Sequence, residues 1–216
     1  MTAQYKILLE GGEGELTEKK SRFLAVSRPI HSEEEASAFI EEIRKKYRDA
    51  SHHCFAYVLG DACRVQRCSD DGEPSQTAGL PILDVLLGRE LHDLCVVVTR
   101  YFGGTLLGTG GLIRAYSGAA AAALDHSRIL EKCHGTKVEI HTDYNSIGKL
   151  QYRLEQQKVR TLETSYTDQV VMTVLVPDDQ MQQLRDDIIE ETAGRAQFIE
   201  LEDVFYGISE QELLLF

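Results

Sequence analysis

The chain has 216 residues, no tryptophan and a formal net charge of −12, a length that suits one large domain or two small ones. No apolar run approaches the ~20 residues of a membrane-spanning helix, and the N-terminus lacks a basic stretch leading into an apolar one, so the expected location is cytoplasmic. Through Cys133 there are 16 Lys/Arg against 19 Asp/Glu, and from His134 onward 7 against 16, which excludes bulk attraction to nucleic acid for the second half and leaves any phosphate contact to a local basic patch in the first.

The segments "YKILLE" and "SRFLAVSRPI" read as strands separated by the glycine-bearing "GGEGELTEKK", a hairpin or meander. In "HSEEEASAFIEEIRKKYRD", Ser32 is a cap with Glu35 as capping-box partner, acids fill the first turn and bases the last. Ala36, Phe39, Ile40, Ile43 and Tyr47 share one face, which predicts an amphipathic packing helix. "HHCFAYVLG" and "CRVQRCSD" read as strands around a Gly60–Asp61 turn, and "DDGEPSQTAG" is too rich in turn formers for either element. "LPILDVLLGRE" reads as a short helix with Pro81 in its first turn. "LCVVVTRYF" reads as a strand buried on both faces. A helix is expected from Leu112 to Leu124, with Leu112, Ile113, Tyr116, Ala119, Ala120 and Ala123 forming a small-residue face for close approach to a sheet.

After "SRILEKCHGT" the rhythm changes to strand "KVEIHTDY", helix "SIGKLQYRLEQQ", strands "RTLETSYT" and "QVVMTVLVP", helix "DDQMQQLRDDIIEET" and strand "AQFIELEDVFY". That is the βαββαβ order of ferredoxin-like domains. Asp178 and Asp179 after Pro177 are expected caps. The expected domains are 1–133 and 134–216, the tail "QELLLF" packing on the second or facing a partner.

Chemistry has three places to reside. In "TRYFGGTLLGTGGLIR", Gly103 and Gly104 follow a buried strand, while Gly108, Thr109, Gly110 and Gly111 precede a helix whose start favours anions. The spacing is neither a Walker loop nor a dinucleotide fingerprint. A nucleotide phosphate, an RNA backbone or simple backbone packing all fit it, with Arg100 and Arg114 as the expected anion contacts beside Tyr101. In "SDDGEPSQTAG", Asp70, Asp71 and Glu73 are either a carboxylate pair for acid–base or Mg²⁺ chemistry or the polar side chains of a solvated turn. His52 and His53 are adjacent on a strand and so point to opposite faces, and at most one joins a given site. The five cysteines read as reduced thiols. A zinc set of His52, His53, Cys54, Cys63 and Cys68 has suitable ligand types but no standard spacing. No catalytic set assembles, and neither a cofactor nor a metal is expected.

The blocks "KKSRFLA", "DASHHCFAYVLG", "SDDGEPSQTAGLPIL" and "VVVTRYFGGTLLGTGGLIRAYSGAA" resemble, in order, the signature blocks of the IMPACT family, in its bacterial YigZ-type branch. The resemblance implies an α+β chain. Its N-terminal domain would have the left-handed βαβ fold of domain IV of elongation factor G, and its C-terminal domain would be ferredoxin-like, as domain V of that factor. Eukaryotic members resemble regulators of translation that bind the activator of a starvation-sensing kinase. The implied role is a non-enzymatic binding protein whose partner is the ribosome, structured RNA or a translation-associated protein, with no membrane partner and no DNA specificity. The alternative is an enzyme or sensor for a phosphorylated small molecule or nucleotide at the glycine loop; a purely protein-binding module is a third reading. One departure stands out: the family usually has glycine where this chain has Gln76, which bears on whether a ligand or backbone approaches that turn.

Overall fold

The computed structural model describes residues 5–60, 63–209 and 212–216, and the chain divides into two compact units, Tyr5–Glu131 and Lys132–Phe216. Both are mixed α+β. The first runs β1 (Tyr5–Glu10), β2 (Glu13–Glu18), β3 (Ser21–Pro29), α1 (Glu33–Lys46), β4 (His52–Leu59), β5 (Val65–Ser69), α2 (Gly79–Gly88), β6 (Leu91–His92), β7 (Leu94–Tyr101) and α3 (Thr109–Asp125). Among the described residues no helix is long and apolar enough to cross a membrane.

The main sheet of this unit is antiparallel, in the order β2-β3-β7-β4-β5. β3 and β4 both pair antiparallel with β7, so they are parallel to each other, and α1 carries the chain across from one to the other. Helices cover both faces. Because side chains alternate along a strand, Cys95 and Val97 pack with Phe39, Ile40 and Ile43 of α1. Val96 and Val98 turn the other way, toward Ile82 and Leu86 of α2 and Tyr116, Ala119 and Ala120 of α3. That explains the unbroken apolar run of β7. Ser32 caps α1 as expected, accepting the Glu35 N–H at 3.2 Å, while the Glu35 carboxylate accepts the N–H of His31 at 2.8 Å.

Several elements depart from the expectation. The hairpin partner of β3 is β2, inside the stretch read as a connection. β1 instead pairs in parallel with the two-residue β6, at Lys6–Leu91 and Ile7–His92, a match too short to leave a pattern in the sequence. α3 begins at Thr109, three residues early, so Gly110 and Gly111 form its first turn. Its packed arc runs through Leu112, Ala115, Tyr116, Ala119, Ala120 and Ala123, which leaves Ile113 at the margin and exposed. The alanines do admit close approach: a Cβ on Gly14 of β2 would lie 2.4 Å from the Ala123 nitrogen. Asp61 of the expected turn lies outside the described residues.

In the second unit the order is β8 (Arg128–Thr142, its first four residues in the first unit), α4 (Ile147–Gln156), β9 (Arg160–Tyr166), β10 (Val170–Pro177), α5 (Met181–Thr192), β11 (Gln197–Ser209) and β12 (Glu212–Leu215). The sheet is β9-β10-β8-β11-β12 with every pairing antiparallel, the ferredoxin-like arrangement with one strand added by the tail. Gln211 of that tail lies outside the described residues. Val138, Ile140, Met172 and Val174 face Leu150 and Leu154 of α4 and Leu184 and Ile188 of α5. Asp178 and Asp179 do not cap α5. They form a 3₁₀ turn leading into it, and the Asp178 carboxylate binds His134 Nδ1 at 2.8 Å.

Gly14→Ala is therefore expected to destabilise the protein by about 1–3 kcal/mol through overpacking against the α3 backbone. Gly148→Ala in α4, where a Cβ meets nothing within 4 Å, is expected to stabilise it by about 0.5–1 kcal/mol. Urea unfolding of the two variants checks both signs.

Candidate functional site

Arg100 is the third residue from the right-hand end of "LCVVVTRYF", and its register explains its role. It lies between Phe23 of β3 and His52 of β4, on the face that carries Val96 and Val98 and is covered by α3. A guanidinium there has left water and must find an internal counter-charge. Glu73 supplies it: Arg100 Nη1 donates to Glu73 Oε1 at 2.6 Å, the two side chains being 6% and 4% exposed. The Tyr116 hydroxyl of α3 donates to the same oxygen at 2.7 Å. Arg100 Nη2 donates to Ser21 Oγ at 3.3 Å, and that oxygen also accepts the Gly103 N–H at 3.2 Å. The expectation that Arg100 contacts an external anion is thus corrected, because burial on the central strand commits it to Glu73.

His52 joins this cluster. Its Nδ1 lies 2.8 Å from the Asp71 carbonyl oxygen, which only accepts, so Nδ1 carries the hydrogen and Nε2 is turned to Glu73 Oε1 at 4.0 Å. His53 points to the other face, where its Nε2 meets the Tyr47 carbonyl at 3.0 Å. The two histidines separate as their adjacency predicted. Tyr116 sits wholly buried against Phe23 in an edge-to-face contact at 5.1 Å. Burial, the neighbouring Cys54 thiol and Glu73 all push its hydroxyl far above the ordinary phenol range.

The acidic turn holds no carboxylate pair. Asp70 accepts the N–H groups of Gln76, Ala78 and Gly79 at 2.8, 3.0 and 2.8 Å, and so caps the start of α2 from a distance. Burial works to raise its carboxyl, but these backbone donors together hold it below the usual carboxylate range. Asp71 accepts the His53 N–H at 2.6 Å and Arg44 at 3.1 Å. Glu73 takes Arg100 and Tyr116. Three carboxylates serve three different anchors, and the acid–base and Mg²⁺ readings of a pair have no geometry behind them. Gln76 has a φ of +62°, a left-handed backbone that suits the glycine expected there from the resemblance, and Gln76 occupies it at the cost of strain.

Between β7 and α3 the loop Phe102–Gly108 is fixed at its base and open at its tip. Gly103 is a packing glycine, since a Cβ there would lie 2.0 Å from the Lys20 carbonyl carbon. Gly104 and Gly108 have φ of +77° and +72° and face open space. Leu107 is buried as an anchor, while Gly104, Thr105, Gly108, Thr109 and Gly110 are exposed, with Phe102 at 49% and Leu106 at 83%. No side chain caps the N-terminus of α3. Tyr101 donates to Asp49 Oδ1 at 3.0 Å. Arg114 is exposed one turn along α3, and Lys19 and Lys20 are exposed on the turn whose backbone Gly103 touches. None of these three cations has an ion pair among the described residues.

Of the residues singled out in the sequence, His52, Glu73, Arg100, Gly103, Gly104, Gly108, Thr109, Gly110, Gly111 and Arg114 therefore form one corner, buried beneath and exposed above. His53, Asp70, Asp71 and Tyr101 brace its surroundings. Ser21, Tyr116, Lys19, Lys20, Phe102 and Leu106 were missed. Tyr116 did leave a signal, because a hydroxyl on an alanine face requires a buried partner. The zinc set does not assemble: among the described residues no three His, Cys, Asp or Glu side chains are grouped to hold a metal ion.

Residues 19–124 match the Impact N-terminal domain, and residues 140–195 a domain of unknown function (DUF1949). The chain is 38% identical to the IMPACT family member YvyE of Bacillus subtilis over 91% of its own length and 90% of that protein. It is 34% identical to YigZ of Escherichia coli over 86% and 92%. A Protein IMPACT homolog of Dictyostelium discoideum is 36% identical over 43% of this chain and 28% of its own. A solved structure titled "Crystal structure of an hypothetical protein" is 32% identical, covers 93% of this chain and 98% of its own, and has a TM-score of 0.58.

Glu73→Ala strands the Arg100 charge in the interior and is expected to cost about 3–5 kcal/mol, whereas Glu73→Leu combined with Arg100→Met is expected to recover most of that loss. Gln76→Gly is expected to stabilise by about 0.5–1 kcal/mol by releasing the left-handed strain. Urea midpoints of the variants, with unchanged slopes, measure all three.

Proposed function

The chain belongs to the IMPACT family, and we propose that its N-terminal domain is a binding module acting in the regulation of translation, without chemistry of its own, that presents the Phe102–Gly111 loop to structured RNA such as that of the ribosome. The observation that carries this reading is the division of charge at the corner. Arg100 is neutralised inside by Glu73, while Lys19, Lys20 and Arg114 stand outside without ion pairs among the described residues. Arg114 lies one turn along α3 from its uncapped start, whose N–H groups and dipole favour an anion, and Lys19 and Lys20 lie on the turn whose backbone Gly103 touches. In a chain of net charge −12, a local cationic rim is the feature that phosphate contacts require. Phe102 adds an exposed ring on which a base can stack.

A second reading rests on a different observation. A Cβ would meet nothing within 4 Å at Gly104 or Gly108, beside the uncapped start of α3. An open, side-chain-free backbone of this kind suits a small phosphorylated ligand or nucleotide held at the glycine loop.

Ribosome co-sedimentation separates the two. Binding is expected at low salt and to fall steeply as salt rises. Lys19→Ala, Lys20→Ala and Arg114→Ala are each expected to flatten the dependence of log K on log[salt] by about 0.7–0.9. Absence of co-sedimentation at low salt, together with a nucleotide-induced rise in Tm, supports the small-ligand reading instead.

A further inference from the structure

A groove of about 440 Å³ in the second unit has no part in the RNA contact proposed above. One wall is the end of α4 with the start of β9, and the other is the β11–β12 pair. The sheet order puts β10 between them, and its Leu175 and Pro177 complete the lining. Leu154, Val159 and Leu175 line it as buried side chains. On the far wall Ile208 and Leu213 are cross-strand partners, joined by the half-buried ring of Tyr206. That wall brings no charge to the groove.

The way α4 ends sets the charge of the near wall. The Lys158 N–H donates to the Glu155 carbonyl at 3.0 Å and the Val159 N–H to the Leu154 carbonyl at 2.8 Å, the paired bonds of a Schellman motif. Its left-handed position is most often glycine, yet here it is Lys158, with a φ of +55°. Val159 packs with Leu154 beneath it. Arg160 follows, half-buried and opposite Leu175 in the ladder. From His134 onward the chain has only 7 Lys/Arg against 16 Asp/Glu. Lys137, Arg153 and Arg185 are spent on ion pairs with carboxylates, whereas Lys158 is exposed and has none among the described residues. Lys158 and Arg160 therefore outweigh Glu155, the acid on the same wall.

An apolar groove with cations at one wall and none at the other fits a ligand with one negative end and an apolar body. We infer that this groove binds an aliphatic monocarboxylate of medium chain length. The carboxylate lies against Lys158 and Arg160, and the chain runs over Leu154 and Leu175 toward Ile208 and Leu213. The volume falls at the lower end of ligand pockets, about 300–1,000 Å³, which suits a single chain. A lysine kept at a position that favours glycine has a reason in such a ligand, because glycine would relieve the backbone and remove the charge.

The test titrates the full chain with straight-chain carboxylates from butanoate to octanoate, below their micellar concentrations, by isothermal titration calorimetry. Affinity is expected to rise about fourfold per added methylene, as burial of each CH₂ requires. Octylammonium, with the same chain and the opposite charge, is expected to bind at least about tenfold more weakly than octanoate. Lys158→Gly is expected to raise Tm, since it frees a left-handed position, and yet to weaken octanoate about fivefold. Ile208→Ser, at a side chain 55% exposed, is expected to leave Tm nearly unchanged and to weaken octanoate at least about threefold. Affinity that does not depend on chain length, or octylammonium binding as tightly as octanoate, overturns the inference without any variant. Unchanged octanoate affinity in either folded variant overturns it independently.

Discussion

The N-terminal domain is organised around one buried carboxylate. Glu73 comes from a turn rich in polar residues, yet its side chain is almost wholly enclosed and accepts from Arg100 of the central strand and Tyr116 of the long helix on one oxygen. These three residues come from parts of the chain that no local interaction connects. Their charge-assisted contacts join the acidic turn, β7 and α3 at one point, and the glycine loop is the segment strung between the last two. Removing Glu73 strands a buried guanidinium and a buried hydroxyl, and removing Arg100 leaves the buried carboxylate without its counter-charge. The loop's base is therefore set by the interior, while its tip is left to solvent.

That division makes sense of the glycines and charges together. Gly103 is required because the Lys20 backbone occupies the space of a side chain, and Gly104 and Gly108 because their backbone is left-handed. Gly110 meets neither demand: it sits in the first turn of α3 with only the Arg114 guanidinium nearby. A glycine in a helix costs stability without a compensating contact, and its benefit is to leave the helix start bare. Arg114 stands one turn along from that bare start, and Lys19 and Lys20 stand on the turn beside Gly103, all three without ion pairs among the described residues. An acidic protein thus acquires a small surface of opposite character without a basic domain.

Much of this was legible in the sequence, and the failures have common causes. The α1 helix, the doubly buried β7 and the βαββαβ order of the second domain follow from periodicities of 3.6 and 2 that burial imposes. The opposed histidines follow from strand alternation. Arg100 was misread because a cation ending an apolar strand looks the same whether it meets water or an internal acid, and its acid lies 27 residues back in a stretch that reads as a solvated turn. The same turn hid Asp70, whose carboxylate serves α2 across several residues rather than at the standard cap position. The β1–β6 pair is two residues long and parallel, too short for any pattern. Gln76 was visible as a departure from what the resemblance implies, but only its φ of +62° gives a reason why glycine suits that position.

The claim on which the rest depends is that the Glu73–Arg100–Tyr116 contact holds the loop in its observed shape. Amide hydrogen exchange of the peptide spanning residues 102–112 in the native protein and in Tyr116→Phe tests it directly, since the variant keeps the ring and removes only the hydroxyl. Faster exchange confined to this segment, with β3 and β7 still protected, is the result expected. Exchange in the loop identical to that of the unmodified chain would contradict it.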